Sequence, residues 1–73
     1  MGNRKGIGDF DLTDTTKVVA SISEYRGTKR VDLRVWWKPD DADWVPTKKG
    51  VSVPVEKWPE MLKLILAVGD NLT

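Results

Sequence analysis

Residues 30–37 read RVDLRVWW, and this stretch decides the fold. Apolar and charged side chains alternate along it, which is the pattern of a β-strand with one face on a core and the other in water. Upstream, residues 17–25 (KVVASISEY) are β-prone and roughly alternating, and residues 26–29 (RGTK) supply a turn around a glycine. The two segments are therefore predicted to form adjacent antiparallel strands.

The chain that follows alternates turn and strand signals. Residues 39–43 (PDDAD) contain the Pro and Asp that favour turns, and the proline in residues 44–46 (WVP) restricts that strand to a sheet edge or end. Residues 47–50 (TKKG) predict another turn. The four predicted strands are 17–25, 30–37, 44–46 and 51–53.

Beyond Pro54 the apolar residues recur at spacings of three and four, which is typical of an amphipathic helix, here extending to about Val68. The predicted fold class is therefore α+β, a four-stranded antiparallel sheet followed by one C-terminal helix (β-β-β-β-α). Residues 17–73 form this domain. Residues 1–16 are rich in Gly, Asp and Thr without periodicity, and are predicted to be a flexible N-terminal arm.

The chain is short for a stable core, with 73 residues and neither cysteine nor histidine. Disulfides and the common metal sites therefore cannot stabilise the domain, and oligomerisation is the remaining means of doing so. Leu64 also widens the apolar stripe of the helix beyond what one small sheet needs. We therefore expect a homodimer that packs through its helices.

The sequence argues against catalysis and bound cofactors. Without histidine or cysteine, the usual general base and the thiol nucleophile are missing, and no phosphate-binding glycine loop is present. Asp40, Asp41 and Asp43 share one turn but lack the spacing of a calcium loop, so we expect a solvated turn and no metal site. No stretch has the length of a membrane span or the pattern of a signal peptide, so an intracellular protein is expected.

Basic and aromatic residues are interleaved in the middle of the chain. The net charge is only +1, yet residues 17–49 carry eight Lys and Arg against five Asp and Glu, together with Tyr25, Trp36, Trp37 and Trp44. Cations neutralise phosphates, and aromatic rings stack on bases that only a single strand exposes. This combination predicts sequence-independent binding of single-stranded nucleic acid.

Other interpretations of the same residues stay open. A tryptophan in a small β-domain is more often part of the core, as expected for Trp58 on the helix stripe, and Lys48 and Lys49 beside a glycine are usually a solvated turn. An aromatic patch also serves as a docking surface for protein, and stacking with phosphate contacts does not distinguish RNA from DNA. A protein-interaction module and a single-stranded RNA binder are therefore the alternatives.

The order of these segments resembles a known family. Residues 22–58 read ISEYRGTKRVDLRVWWKPDDADWVPTKKGVSVPVEKW, which combines an aromatic–basic–glycine turn, a VDLR-x-WW strand, an acidic turn, a P-x-K-K-G-V-S segment and a helix opening at EKW. This series resembles the conserved domain of the transcriptional coactivator family called positive cofactor four, over roughly residues 17–68. The resemblance implies a curved sheet, a symmetric dimer through the helices, and binding of single-stranded DNA without sequence preference.

The resemblance also implies which residues meet the DNA, two aromatics that stack on bases and five basic residues that contact phosphates. The aromatics are Tyr25 and Trp37, and the basic residues are Arg26, Lys29, Arg34, Lys48 and Lys49. Lys29 is included because the lysine that often follows the turn glycine in this family is Thr28 here. In this family a basic residue often precedes the proline of the third strand, and the corresponding residue here is Val45.

One tension concerns the strand at 30–37. Strict alternation places Arg34 and Trp37 on opposite faces of the strand, although the resemblance implies that both contact the DNA. A bulge, a strong twist or the end of the strand would reconcile the two positions. The alternative for Arg34 is a cross-strand ion pair with an acid such as Asp32 or Glu24.

The eukaryotic coactivators of this family carry a long Ser- and Lys-rich arm, and residues 1–16 are short by comparison. The resemblance therefore implies a compact member of the bacterial or phage type, supporting transcription or DNA replication, recombination and repair. The expected partners are single-stranded DNA, a second copy of the chain, and transcription or replication proteins. The expected location is intracellular and DNA-associated.

Overall fold

A computed structural model describes residues 3–72, and its four strands follow one another across a single sheet. They are β1 (Asn3–Thr13), β2 (Thr16–Tyr25), β3 (Thr28–Trp37) and β4 (Val45–Pro54), each antiparallel to the next. A 3₁₀ turn, Val55–Lys57, leads into helix α1, Trp58–Asp70. The predicted fold class, an antiparallel four-stranded sheet followed by one C-terminal helix, is confirmed.

The first strand comes from the segment that the sequence analysis assigned to an arm, and that assignment is wrong for residues 3–13. β1 pairs with β2 along its whole length, from Asn3 opposite Glu24 to Thr13 opposite Thr16. Two register shifts in β1 break the alternation on which a sequence pattern depends, and its glycines lower its strand propensity. Residues 1, 2 and 73 lie outside the described part of the chain.

The third and fourth predicted strands are one strand, β4, so the turn predicted between them is also wrong. Pairing with β3 jumps from Gly50 to Pro46, and residues 47–49 face Val35 alone. Such an insertion of extra residues into one strand is a β-bulge, which bends the strand without ending it. The TKKG segment therefore lies within the sheet.

Gly50 is required at the edge of this bulge. Its φ of +156° lies in a region that L side chains rarely adopt, and a Cβ atom there would lie 2.7 Å from the Arg34 Cα and against the Leu33 carbonyl oxygen. Any larger residue would push β4 away from β3.

The predicted turn between β2 and β3 is present and contains two residues. Arg26 has a φ of 53° and Gly27 a φ of 79°. Positive φ at both positions is the type I′ turn, whose twist matches that of the adjoining strands. This turn fixes a regular register between β2 and β3, from Tyr25 opposite Thr28 to Thr16 opposite Trp37.

Alternation sorts the side chains of the sheet onto two faces. The apolar face carries Val18, Ala20, Ile22, Val31, Leu33 and Val35. The polar face carries Lys17, Ser21, Ser23, Arg30, Asp32 and Arg34. Within residues 3–72 the only buried side chains are those of Ser21 and Asp32, which are 2% and 4% exposed, and no apolar side chain is buried.

The start of α1 leans on the apolar face. Val55 and Trp58 line a cavity of about 340 Å³ together with Ile7 and five residues of β2 and β3. The rest of the helix leaves the sheet, and its apolar residues are exposed: Leu62, Leu64, Ile65, Leu66 and Val68. Within the described residues, no helix is long and apolar enough to cross a membrane.

Candidate nucleic-acid interface

Arg34 is held on the polar face by three hydrogen bonds. Its Nε and Nη2 donate to the two carboxylate oxygens of Asp32 at 3.1 and 2.7 Å, and its Nη1 donates to the carbonyl oxygen of Thr47 at 2.9 Å. The hydrogen bonds that Arg34 donates to Asp32, and then the negative charge of Asp32, raise the pKa of Arg34. An ion pair with Asp32, one of the two acids expected for Arg34, is thus observed, but it forms along β3 and not across strands as expected. Two of the five guanidinium N–H groups remain for a ligand.

The bulge of β4 is held by one hydroxyl group. Thr47 Oγ1 donates to the Val35 carbonyl oxygen at 2.7 Å and accepts from the Lys49 backbone N–H at 3.1 Å. With Arg34 bound to its carbonyl oxygen, Thr47 is fixed on three sides. The lysines that follow, Lys48 and Lys49, are exposed.

Residues of the two outer strands line one groove on the polar face. Arg4 of β1 and Lys48 of β4 line one open groove of about 350 Å³, together with Arg34, Pro46 and Thr47. Because β1 and β4 are the two edges of the sheet, a shared groove requires the polar face to be concave. We call this surface the basic groove.

Tyr25 and Arg26 form a stacked pair at the β2–β3 turn. Tyr25 is 54% exposed, and the Arg26 guanidinium carbon lies 5.1 Å from its ring centroid. This distance is in the range of a cation–π contact, which places the cation over one face of the ring. The other face is open to a stacking partner.

Trp37 lies at the opposite end of the same hairpin. It is 47% exposed and sits nine residues along β3 from Thr28, the partner of Tyr25, which corresponds to about 30 Å. The β2–β3 pairing has no bulge, so Arg34 and Trp37 do lie on opposite faces, and Trp36 shares the polar face with Arg34. The structure therefore does not bring Tyr25 and Trp37 together within one chain.

Lys29 is also separated from the basic groove. It pairs with Glu24 in the β2–β3 register, on the side of the apolar face, whereas Thr28 faces the other side. Its side chain lines a smaller cavity with Asn3 and Lys5 of β1. Of the basic residues implied by the resemblance, Arg34 and Lys48 share the groove, and Lys49 follows directly in the same bulge.

Lys17 and Arg4 are basic residues of the polar face that were not predicted as site residues. Lys17 Nζ lies 4.5 Å from the Trp44 ring centroid and 3.4 Å from an Asp9 carboxylate oxygen. Arg4 lines the basic groove. The place of Arg4 and the contact between Lys17 and Asp9 depend on β1, whose pairing with β2 could not be read from a segment without regular alternation.

Residues 12–64 match the family model described as Transcriptional Coactivator p15 (PC4). The chain belongs to the PC4 family. Solved structures similar to this one include a PC4 homologue from Burkholderia pseudomallei in two crystal forms. The tetragonal form gives a TM-score of 0.84 at 30% identity, covering 92% of this chain and 98% of that one. The orthorhombic form gives 0.80 at 31% identity, covering 89% and 88%.

A phage protein of the PC4 family is also similar. It is a bacteriophage T5 homologue of the eukaryotic transcription coactivator PC4, implicated in recombination-dependent DNA replication, with a TM-score of 0.67 at 26% identity over 96% of this chain and 77% of that one. The family expected from the motifs is thereby confirmed, as a compact member of the bacterial or phage type. A DNA-related role follows from this membership.

Proposed function

We propose that this chain binds single-stranded DNA without sequence preference, as a homodimer paired through α1. The observation that carries the proposal is the basic groove on the concave polar face, with the exposed ring of Tyr25 on that same face. Membership of the PC4 family supports DNA as the ligand.

Stacking explains the preference for single strands. Tyr25 offers one open ring face and Trp37 is half exposed, so each can take a base. A stacked base contributes about 1–3 kcal/mol with little dependence on its identity, and a duplex hides the faces that would stack. The two aromatics lie at opposite ends of the hairpin and on opposite faces of the sheet. A strand on the polar face therefore reaches Tyr25 directly, and it reaches Trp37 only where it passes around the end of the hairpin.

Phosphate contacts come from the cations that remain exposed. Arg26, Lys29, Lys48 and Lys49 are exposed, and none has an ion-pair partner within residues 3–72. Arg34 differs, because its charge is largely compensated by Asp32. We therefore assign the larger phosphate contribution to the lysines of the bulge and a smaller one to Arg34.

The dimer is supported by what one chain leaves uncovered. No apolar side chain within residues 3–72 is buried, and α1 exposes five large aliphatic residues beyond its first turn. A folded domain needs a buried apolar core, since apolar burial is the main favourable term in folding. A second copy packed on α1 and the apolar face would supply it.

We place the role in transcription or in DNA replication, recombination or repair, with binding rather than catalysis as the activity. The T5 homologue's implication in recombination-dependent replication supports the second setting. Transcription or replication proteins are the further partners in either case.

The test is fluorescence anisotropy of a labelled single strand of mixed sequence, run beside its duplex and the matching RNA at two salt concentrations. We expect tight binding to single-stranded DNA that weakens with salt, and weak binding to the duplex. Tyr25→Ala and Trp37→Ala should each weaken binding by about 1–3 kcal/mol while the far-UV circular dichroism is unchanged.

Four results would overturn the proposal in different ways. Equal binding of single strand and duplex would remove the stacking model, and tighter binding of RNA would change the ligand. Absence of binding at low salt would leave the aromatic surface as a docking site for protein. Unchanged affinity in both alanine variants would show that Tyr25 and Trp37 do not contact bases.

A further inference from the structure

We infer that Arg4 of β1 is a phosphate-contacting residue, which together with Lys48 grips the DNA backbone from the two edges of the basic groove. This inference rests on the proposed function and extends it to a strand that lies almost entirely outside the residues matched by the family model, 12–64. It is drawn from the placement of Arg4 in the sheet.

The register of β1 puts Arg4 on the polar face. Arg4 pairs with Ser23, and Ser23 shares that face with Ser21 and Tyr25 of the same strand. The curvature of the sheet brings Arg4 to the groove that Arg34, Pro46, Thr47 and Lys48 line from the other side. A residue from the first strand and a residue from the last therefore face one space of about 350 Å³.

The charges in the groove are not compensated at its edges. Arg34, at the bottom, is paired with the buried carboxylate of Asp32. Arg4 and Lys48 are exposed, and within the described residues neither side chain has a hydrogen-bond or ion-pair partner. Two free cations and two remaining N–H groups of Arg34 thus converge on one open groove, which suits a phosphodiester anion.

The position of Arg4 also fits the path of a strand bound to Tyr25. Ser23, the partner of Arg4, is two residues from Tyr25 on the same face of β2, which corresponds to about 7 Å along the strand. A nucleotide whose base stacks on the open face of Tyr25 would place a neighbouring phosphate within reach of the Arg4 guanidinium. From there the DNA backbone would run along the basic groove towards Lys48.

The chain contains a matched control for this residue. Lys5 follows Arg4 in β1, is equally exposed, and pairs with Ile22 of the apolar face. Replacing either residue removes one positive charge from the same strand. Only Arg4 faces the basic groove.

The experiment compares Arg4→Gln and Lys5→Gln with the full unmodified chain by anisotropy across a salt series. We expect Arg4→Gln to weaken binding of single-stranded DNA about five-fold and to reduce the log–log salt slope by about 0.7, the value of one lost phosphate contact on a single strand. Lys5→Gln should change both much less. Thermal unfolding of the two variants should coincide with that of the unmodified protein.

A second probe separates phosphate contact from stacking. An abasic oligonucleotide of deoxyribose phosphate keeps the charges and lacks the bases. Arg4→Gln should weaken its binding by the same factor as for single-stranded DNA, whereas Tyr25→Ala should leave its binding unchanged. The double variant Arg4→Gln, Lys48→Gln should lose affinity by at least the product of the two single factors. Its log–log salt slope should fall by about 1.4.

The outcomes distinguish this inference from the proposed function. Equal losses for Arg4→Gln and Lys5→Gln, or an unchanged salt slope for Arg4→Gln, would overturn the role of Arg4 while binding by the unmodified chain stands. Absence of binding by the unmodified chain would overturn the proposed function, and the contact with it.

Discussion

The two faces of the sheet differ in how far a single chain completes them. On the polar face Ser21 and Asp32 are buried, and Arg34 makes three hydrogen bonds. Arg30 likewise donates to the side-chain and backbone oxygens of Ser52, both at 2.9 Å. The apolar face has no buried side chain within residues 3–72, although it carries the aliphatic residues of β2 and β3. Polar groups are therefore satisfied inside one chain, whereas the apolar side chains of one chain stay partly exposed.

This arrangement reverses the usual order in a small monomeric protein, where aliphatic residues are buried first and polar ones last. A hydrogen bond contributes only about 1 kcal/mol net, so the network on the polar face cannot stabilise the fold alone. Folding of this chain should therefore be coupled to its association, and stability should depend on protein concentration. The polar face sets the shape of the site, and the proposed dimer would supply most of the free energy of folding.

The largest expected effect comes from placing a charge on the uncovered surface of α1. Leu66→Asp would bury one unpaired carboxylate per copy in the proposed dimer, at a cost of about 5 kcal/mol per dimer. We expect a monomeric, largely unfolded chain by light scattering and circular dichroism. The matched control Lys63→Asp, on the polar side of the helix, should remain a dimer, and a folded monomer with Leu66→Asp would refute the coupling.

A smaller effect is expected from disturbing the bulge of β4, which lines the basic groove of the polar face. Gly50→Ala places a Cβ atom against the Leu33 carbonyl oxygen and the Arg34 Cα, so β3 and β4 must separate locally. We expect a loss of about 3 kcal/mol in the free energy of unfolding, measured by urea denaturation at fixed protein concentration. Gly6→Ala is the control, because nothing lies within 4 Å of a Cβ atom there. Equal stability of the two variants would show that the bulge tolerates a side chain.

The smallest effect concerns the hydroxyl group that holds the bulge. Thr47→Val keeps the shape of the side chain and removes the hydrogen bonds to the Val35 carbonyl oxygen and the Lys49 N–H. We expect a loss of about 1 kcal/mol in stability, together with weaker binding of single-stranded DNA because the two bulge lysines are less well positioned. Thr28→Val, at an exposed end of β3, should change neither quantity. A loss of stability without any change in affinity would separate the bulge from binding.

The sequence predicted the elements whose signals are local. The alternation in β3, the glycine turn before it and the helical period after Pro54 each lie within one segment, and all three are confirmed. β1 was missed because its glycines and register shifts remove the alternation, and β4 was divided because a TKKG segment resembles a turn. Both errors concern bulges, which a strand tolerates when its neighbour supplies the pairing.

The candidate site was predictable to the same extent. The ion pair between Asp32 and Arg34 follows from their spacing of two on one strand, which places them on one face. Arg4 could not be found in this way, since its place in the groove depends on the pairing of β1 with β2 and on the curvature of the whole sheet. Stacking residues named from the family motif are exposed, but their separation along the hairpin became visible only in three dimensions.

The neighbour-to-neighbour order of the strands has a consequence for folding kinetics. Every pairing joins consecutive strands, and the longest connection in the sheet is residues 38–44. Loops of this size close in about 100 ns and hairpins form in about 1–10 μs. Formation of the sheet is therefore fast. In the proposed dimer the encounter of two chains is then the slow step, and the refolding half-time should shorten as protein concentration rises.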